Sequence, residues 1–202
     1  PSYDFLADLS SSLAMVGRGD KISYIDIEGK LLMPFVWEDG MPFKRELAVV
    51  IKGDEMAVIN KVGGVIIPSG YDNIYLDETS PILTERDGVY RFYSRVGKPL
   101  YGEYDRAIPF AFSRAVVGNG DTLSVISIKG ERLHSGVYKD IRIISDTLMA
   151  IQDSVGLWSL SNMQGEILTK KKYEQMGDFS EGLAPVVLKG KYGYINTNEM
   201  GN

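Results

Sequence analysis

Residues 47 to 77, LAVVIKGDEMAVINKVGGVIIPSGYDNIYLD, alternate short apolar runs with small polar clusters. The runs LAVVI, MAVI and GVII are rich in Val and Ile, and Gly-Asp, Gly-Gly and Pro-Ser-Gly lie between or after them. Short β-branched runs bounded by Gly, Pro and Asp predict strands joined by tight turns. No segment carries a sustained 3.6-residue apolar stripe, so helices are expected to be nearly absent. LAVVI and GVII are also continuous rather than alternating, which marks strands covered on both faces. Each such unit is predicted to be a small antiparallel sheet sandwiched between its neighbours, as in the blades of a β-propeller or the interior of a β-solenoid.

The pattern repeats. An aromatic residue followed by a polar, usually acidic one recurs at Tyr3-Asp4, Trp37-Glu38, Tyr71-Asp72, Tyr104-Asp105, Tyr138-Lys139 and Tyr173-Glu174, in steps of 33 to 35 residues. A small residue inside an apolar run recurs at Ala14, Ala48, Ala115, Ala150 and Ala184, with Ile82 in the remaining place. A third column is Gly29, Gly63, Gly97, Gly130 and Gly165, broken by Glu199. Three columns in step predict one all-β repeat domain over residues 1–202, with copies of about 34 residues. The expected copies are 13–46, 47–80, 81–113, 114–148, 149–182, and 183–202 completed by 1–12. LADLSSSLAMV at residues 6–16 matches the start of DFSEGLAPVV at 178–187, so the chain opens on the end of a repeat and stops on the start of one. The expectation is a six-bladed propeller-like ring in which residues 1–12 complete the last sheet. The alternative is an open β-solenoid or spiral.

These columns resemble the bacterial tryptophan-glycine (WG) repeats. The pattern of that family runs roughly Phe-Ser-Glu-Gly-Leu-Ala, then Gly-Lys-Trp-Gly-Tyr-Ile-Asp, Gly-Lys, Ile-Pro and Tyr-Asp. The best copy is DFSEGLAPVVLKGKYGYIN, with Tyr192-Gly193 at the Trp-Gly place, while Ile67-Pro68 and Tyr71-Asp72 carry the end of the pattern. The Trp place holds Ile22, Met56, Tyr90, Leu123, Trp158 and Tyr192, which suits buried packing. The Gly place holds Ser23, Ala57, Arg91, Ser124, Ser159 and Gly193, so Arg91 is out of character there. The resemblance implies a β-rich repeat scaffold and no defined enzymatic activity.

Composition narrows the partners. A net charge of −5, with Lys170-Lys171-Lys172 as the one dense basic run, argues against nucleic acid. With no cysteine there is no disulfide, thiolate metal site or thiol nucleophile. No apolar run approaches the ~20 residues that span a bilayer. Pro1 opens the chain without an initiator Met, which leaves a cleaved export signal and a trimmed start as alternatives. An extracytoplasmic place, periplasmic or at the cell surface, is expected over a cytoplasmic one.

The tempting motifs each have a plainer explanation. Arg18-Gly19-Asp20 reads as an adhesion tripeptide, but it aligns with Lys52-Gly53-Asp54 and Asn119-Gly120-Asp121, where every copy needs a hairpin turn. Asp20, Asp54 and Asp121 lie a whole repeat apart, too far for one calcium shell, so no metal site and no cofactor is expected. His134 is the sole histidine and is expected to be a solvated loop residue rather than a catalytic base. The aromatic–acid column could stack and hydrogen-bond a sugar, yet a residue in nearly every copy is expected to be architectural, the aromatic wedging between sheets and the acid capping a turn. The charged neighbourhood of Arg86, Arg91 and Arg95, with Trp37 from the aromatic column, is the predicted ligand contact. The function expected is a non-enzymatic scaffold for an unidentified protein or carbohydrate. The alternative is a carbohydrate-active enzyme on a propeller-like fold, for which 27 acids offer many pairs and none singled out.

Overall fold

A computed structural model describes residues 2–196, and those residues hold twenty-one strands and no helix. The chain divides into two compact units, Pro1–Glu103 and Tyr104–Asn202. In the first unit, β1 (Phe5–Leu6), β2 (Leu13–Arg18) and β3 (Lys21–Asp26) form one sheet. The second sheet is β4 (Asp39–Gly40), β5 (Leu47–Lys52), β6 (Glu55–Asn60) and β7 (Val65–Tyr71). The third is β8 (Asn73–Tyr75), β9 (Ile82–Arg86), β10 (Val89–Tyr93) and β11 (Pro99–Tyr104).

The second unit repeats the plan. It contains β12 (Arg106–Ala107), β13 (Arg114–Asn119), β14 (Thr122–Ser127) and β15 (Arg132–Val137) in one sheet. Next come β16 (Asp140–Ile143), β17 (Leu148–Gln152) and β18 (Trp158–Asn162), then β19 (Gln175–Met176), β20 (Leu183–Leu188) and β21 (Lys191–Asn196). In each sheet, strands adjacent in the chain lie side by side. In the first and fifth sheets the place of a fourth strand is held by the single bridges Ile22–Trp37, Ile25–Leu31, Trp158–Tyr173 and Ser161–Ile167.

Two boundaries differ from the sequence expectation. Sheets begin just after each aromatic–acid pair, not at residues 13, 47 or 81. Phe5 and Leu6 pair with Gly17 and Val16, which places them in the first sheet and not beside residues 183–196. The reason is local: the hairpin at Ser10–Leu13 closes β1 onto β2 over a few residues, and such short closures cost little entropy. Glu199, the break in the glycine column, lies outside the described residues.

The continuous apolar runs do face two ways. Along β5, Ala48 and Val50 pack with Leu13, Ile22, Tyr24 and Phe43 on the side of the first sheet, whereas Leu47 and Val49 pack with Ile67, Ile74 and Ile82 on the side of the third. Likewise Leu148 and Ala150 of β17 join Trp158, Leu160 and Ala184, while Met149 and Ile151 join Val116, Leu123 and Ile141. Every residue of the alanine column is buried, as is Ile82. A small side chain there lets neighbouring sheets approach closely enough for their larger residues to interdigitate.

The glycine column has one backbone cause. Gly29, Gly63, Gly97, Gly130 and Gly165 all hold φ between 78° and 86°. Each donates its N–H to the carbonyl three residues back, closing the turn that follows β3 and its equivalents. Left-handed backbone of this kind costs an L-residue roughly 1–2 kcal/mol and costs glycine almost nothing.

Candidate functional site

The aromatic–acid pairs lie at the sheet junctions, and their two halves have separate tasks. Trp37, Tyr71, Tyr138 and Tyr173 each pack, half-buried, against an inter-sheet layer. Tyr3 lies 6.2 Å from the Phe35 ring, and the Arg18 guanidinium sits 4.8 Å from the Phe35 centroid. The acids reach forward to the next hairpin. Asp4 accepts the Gly19 N–H at 2.6 Å, Glu38 that of Gly53 at 2.7 Å and Asp72 that of Asp87 at 2.8 Å. Asp105 accepts from Gly120 at 2.6 Å and Glu174 from Gly190 at 3.2 Å. Gly19, Gly53 and Gly120 take φ of 58° to 59° as the first central residue of a two-residue hairpin, the requirement of a type II′ turn. Arg18-Gly19-Asp20 is thus one of a series of capped turns.

The sequence-predicted contact residues each have partners within the fold. Arg91 is half-buried on β10, and its pairing with the Glu103 carboxylate compensates that burial. Its charge and that of Arg86 bear on Tyr71, whose hydroxyl bonds Tyr93 at 2.7 Å. Burial, then that hydrogen bond, pushes Tyr71 up to about 12. Arg95 lies in the turn after β10, donating to the Asp77 carbonyl at 2.8 Å and the Lys44 carbonyl at 3.1 Å. These bonds fasten the loop at residues 44–46 to that at residues 76–81. Trp37 is core-facing, and its carbonyl accepts the Ile22 N–H. The Trp place is buried at Ile22, Leu123 and Trp158, but Tyr192 is 88% exposed. His134 is a correction: it lies half-buried on β15 with its Nε2 2.8 Å from the Tyr138 hydroxyl, not in a solvated loop. Among the described residues no group of three His, Cys, Asp or Glu could hold a metal ion, and no helix is long and apolar enough to cross a membrane.

A cleft of about 300 Å³ in the second unit draws on three sheets. Phe112 comes from the hairpin before β13; Arg142, Ile143, Ile144 and Ala150 come from the fifth sheet and the turn after β16; Gly177, Asp178 and Phe179 come from the loop between β19 and β20. Arg142 is held in place. Its guanidinium lies 4.2 Å from the Trp158 ring centroid, donates to the Met176 carbonyl at 3.0 Å, and stands 3.5 Å from Asp140 and 3.7 Å from Asp178. Arg106 holds the other oxygen of Asp140 at 3.0 Å. The Asp178 side chain is 97% exposed at the rim.

Phe112 is the anomaly. The hairpins at Ser10–Leu13, Ala111–Arg114 and Ser180–Leu183 need positive φ at both central residues, as type I′ turns do. In the last of these the residues are Glu181 and Gly182, the Glu-Gly of the repeat pattern. In the fourth sheet they are Phe112 at φ 49° and Ser113 at 59°, and the Phe112 ring is 57% exposed. A bulky residue in left-handed backbone is uncommon, and its ring here gains little burial in return. The sequence signal was available as a Phe in the Glu place of Phe-Ser-Glu-Gly-Leu-Ala.

Comparisons with known proteins agree with this architecture. No curated protein matches the sequence. Among solved structures the chain is similar to Hsv2 of Kluyveromyces marxianus, with a TM-score of 0.51 at 10% identity over 92% of this chain and 69% of that one. It is also similar to Kluyveromyces lactis Hsv2 with loop 6CD replaced by a Gly-Ser linker, with a TM-score of 0.50 at 13% identity over 96% of this chain and 79% of that one. The WD40 β-propeller domain of Doa1 aligns over 99% of this chain and 85% of that one at 12% identity, with a TM-score of 0.40. The likeness to the two Hsv2 structures concerns the fold alone, an all-β architecture. The family described as WG containing repeat matches residues 22–55 and 158–192. Two stretches of the chain are thus similar to WG repeats.

Proposed function

We propose that this chain is a non-enzymatic β-repeat scaffold that binds a protein or glycan partner at the cleft of Phe112, Arg142, Asp178 and Phe179. The observation that carries the proposal is Phe112, exposed and left-handed where the repeat pattern has Glu. The recurring acids support it from the other side, since five of the six column positions are engaged in capping hairpin turns. The reading includes the sequence expectation of six repeats closing as a ring, which rests on three columns staying in step. A spin-label distance between the first and the sixth sheet tests that part: a separation several times the ~10 Å of stacked sheets would refute it.

The binding proposal is tested by presenting a displayed peptide library and a glycan array to the protein and to Phe112→Ala. Ligands retained by the wild type and lost by the variant support the cleft. Identical binding profiles would contradict it.

A further inference from the structure

Resting on the binding role proposed above, we infer that the cleft takes a neutral sugar ring, stacked on Phe112 and hydrogen-bonded by Asp178 and Arg142. Three properties of the site point to this ligand class. The first is balance of charge. The lining holds one cation, Arg142, and one anion, Asp178, which face each other, while Asp140 beside Arg142 is matched by Arg106, so the cleft offers no net attraction to an acidic or basic ligand. What it does offer is both signs of hydrogen bonding side by side. The exposed Asp178 carboxylate accepts, and the Arg142 guanidinium, 41% exposed, donates. A sugar hydroxyl does both at once, and a ring carries several in fixed relation.

The second property is the aromatic wall. Phe112 presents an exposed ring, and Phe179 and Ile144 pack on the neighbouring layer at the cleft's edge. One face of a pyranose is a patch of C–H groups that an aromatic face covers, leaving the hydroxyl rim to polar side chains. The third is size. A volume of about 300 Å³ is at the small end of ligand pockets, suited to one or two rings rather than a folded partner. Ala150, from the small-residue column, lines the cleft, so close sheet packing also keeps the cleft unfilled.

Pre-organisation completes the case. Arg142 is fixed by Trp158 on one side and the Met176 carbonyl on another, so little of its rotamer freedom remains to be lost on binding. Contact with Arg142 also perturbs Trp158, which gives the site its own optical reporter.

The test uses the full chain carrying Trp37→Phe, so that fluorescence comes from Trp158, with methyl glucoside, methyl galactoside, methyl mannoside, N-acetylglucosamine, cellobiose and glucuronate as probes. Saturation-transfer NMR and Trp158 emission are followed together, and near-ultraviolet circular dichroism confirms that each variant is folded. At least one neutral sugar is expected to bind saturably and to shift Trp158 emission. Phe112→Ala should abolish that binding, Asp178→Asn should weaken it by about tenfold or more, and glucuronate should bind no better than its neutral counterpart. Sugar binding that survives Phe112→Ala, or preference for the anionic probe, overturns the inference. If no sugar binds while displayed peptides bind in a Phe112-dependent way, the sugar inference falls and the binding role stands. If neither class binds, both fall.

Discussion

The carboxylate of Glu38 accepts the Gly53 amide N–H at 2.7 Å while its other oxygen takes the Lys21 ammonium at 2.9 Å. One side chain thus ties the junction of two sheets to a hairpin turn fifteen residues further on and to the strand behind it. The Lys21 hydrogen bond first, and the Gly53 N–H second, hold the Glu38 carboxyl below its ordinary value near 4.5.

A pH dependence follows from that depression. The folded state binds the Glu38 proton less readily than the unfolded chain does, so the contribution is present above about pH 4.5 and is lost as pH falls through the folded value. Glu38→Gln keeps an acceptor for Gly53 but removes the charge and the titration. Denaturant midpoints should place wild type above the variant at neutral pH, with the gap narrowing as pH falls below about 4.5. A gap that stays constant or widens on acidification would show that the charge is not what matters.

The left-handed turns give a second prediction. Ser12 holds φ of 68° with an exposed side chain, so Ser12→Gly should raise stability by about 0.5–1 kcal/mol, the relief of strain less the entropy of glycine. Gly63→Ala should do the opposite and cost about 1–2 kcal/mol, since φ is 80° and the new Cβ would stand 3.1 Å from the Met33 Cβ. Urea melts of the two variants moving in the same direction would contradict the assignment of these turns.

The two tryptophans should separate. Trp158 is 5% exposed within the layer of Leu160, Met176 and Ala184, so Trp158→Ala should cost about 3–5 kcal/mol. Trp37 is only partly buried against its layer, and Trp37→Ala should cost less. A larger loss at Trp37, by denaturant midpoint, would mean that its column carries the core.

How far the sequence carried this account depends on the reach of each signal. The double-faced sheets were legible because LAVVI has no polar position to spare, and Leu47, Ala48, Val49 and Val50 indeed divide between two layers. The glycine column was legible because a positive φ recurs at one phase of the period. Sheet boundaries were not, because strands such as Asp39–Gly40 and Arg106–Ala107 are two residues long and carry no apolar pattern. The partners of Arg91 and Arg95, Glu103 and the loop carbonyls, were not legible either, because they lie outside the repeating columns. The cleft was not legible in the three columns, because Phe112 departs from the pattern within the turn motif, at the Glu place.

Phe112→Gly, followed by chemical denaturation beside wild type, tests the claim that this residue serves binding rather than folding. If Phe112 is kept in left-handed backbone for a ligand, removing its exposed ring relieves the turn and the variant is as stable as wild type or up to about 1 kcal/mol more so, while ligand binding is lost. A variant destabilised by more than about 1 kcal/mol would show Phe112 to be part of the fold's own packing, and the cleft would lose its principal evidence.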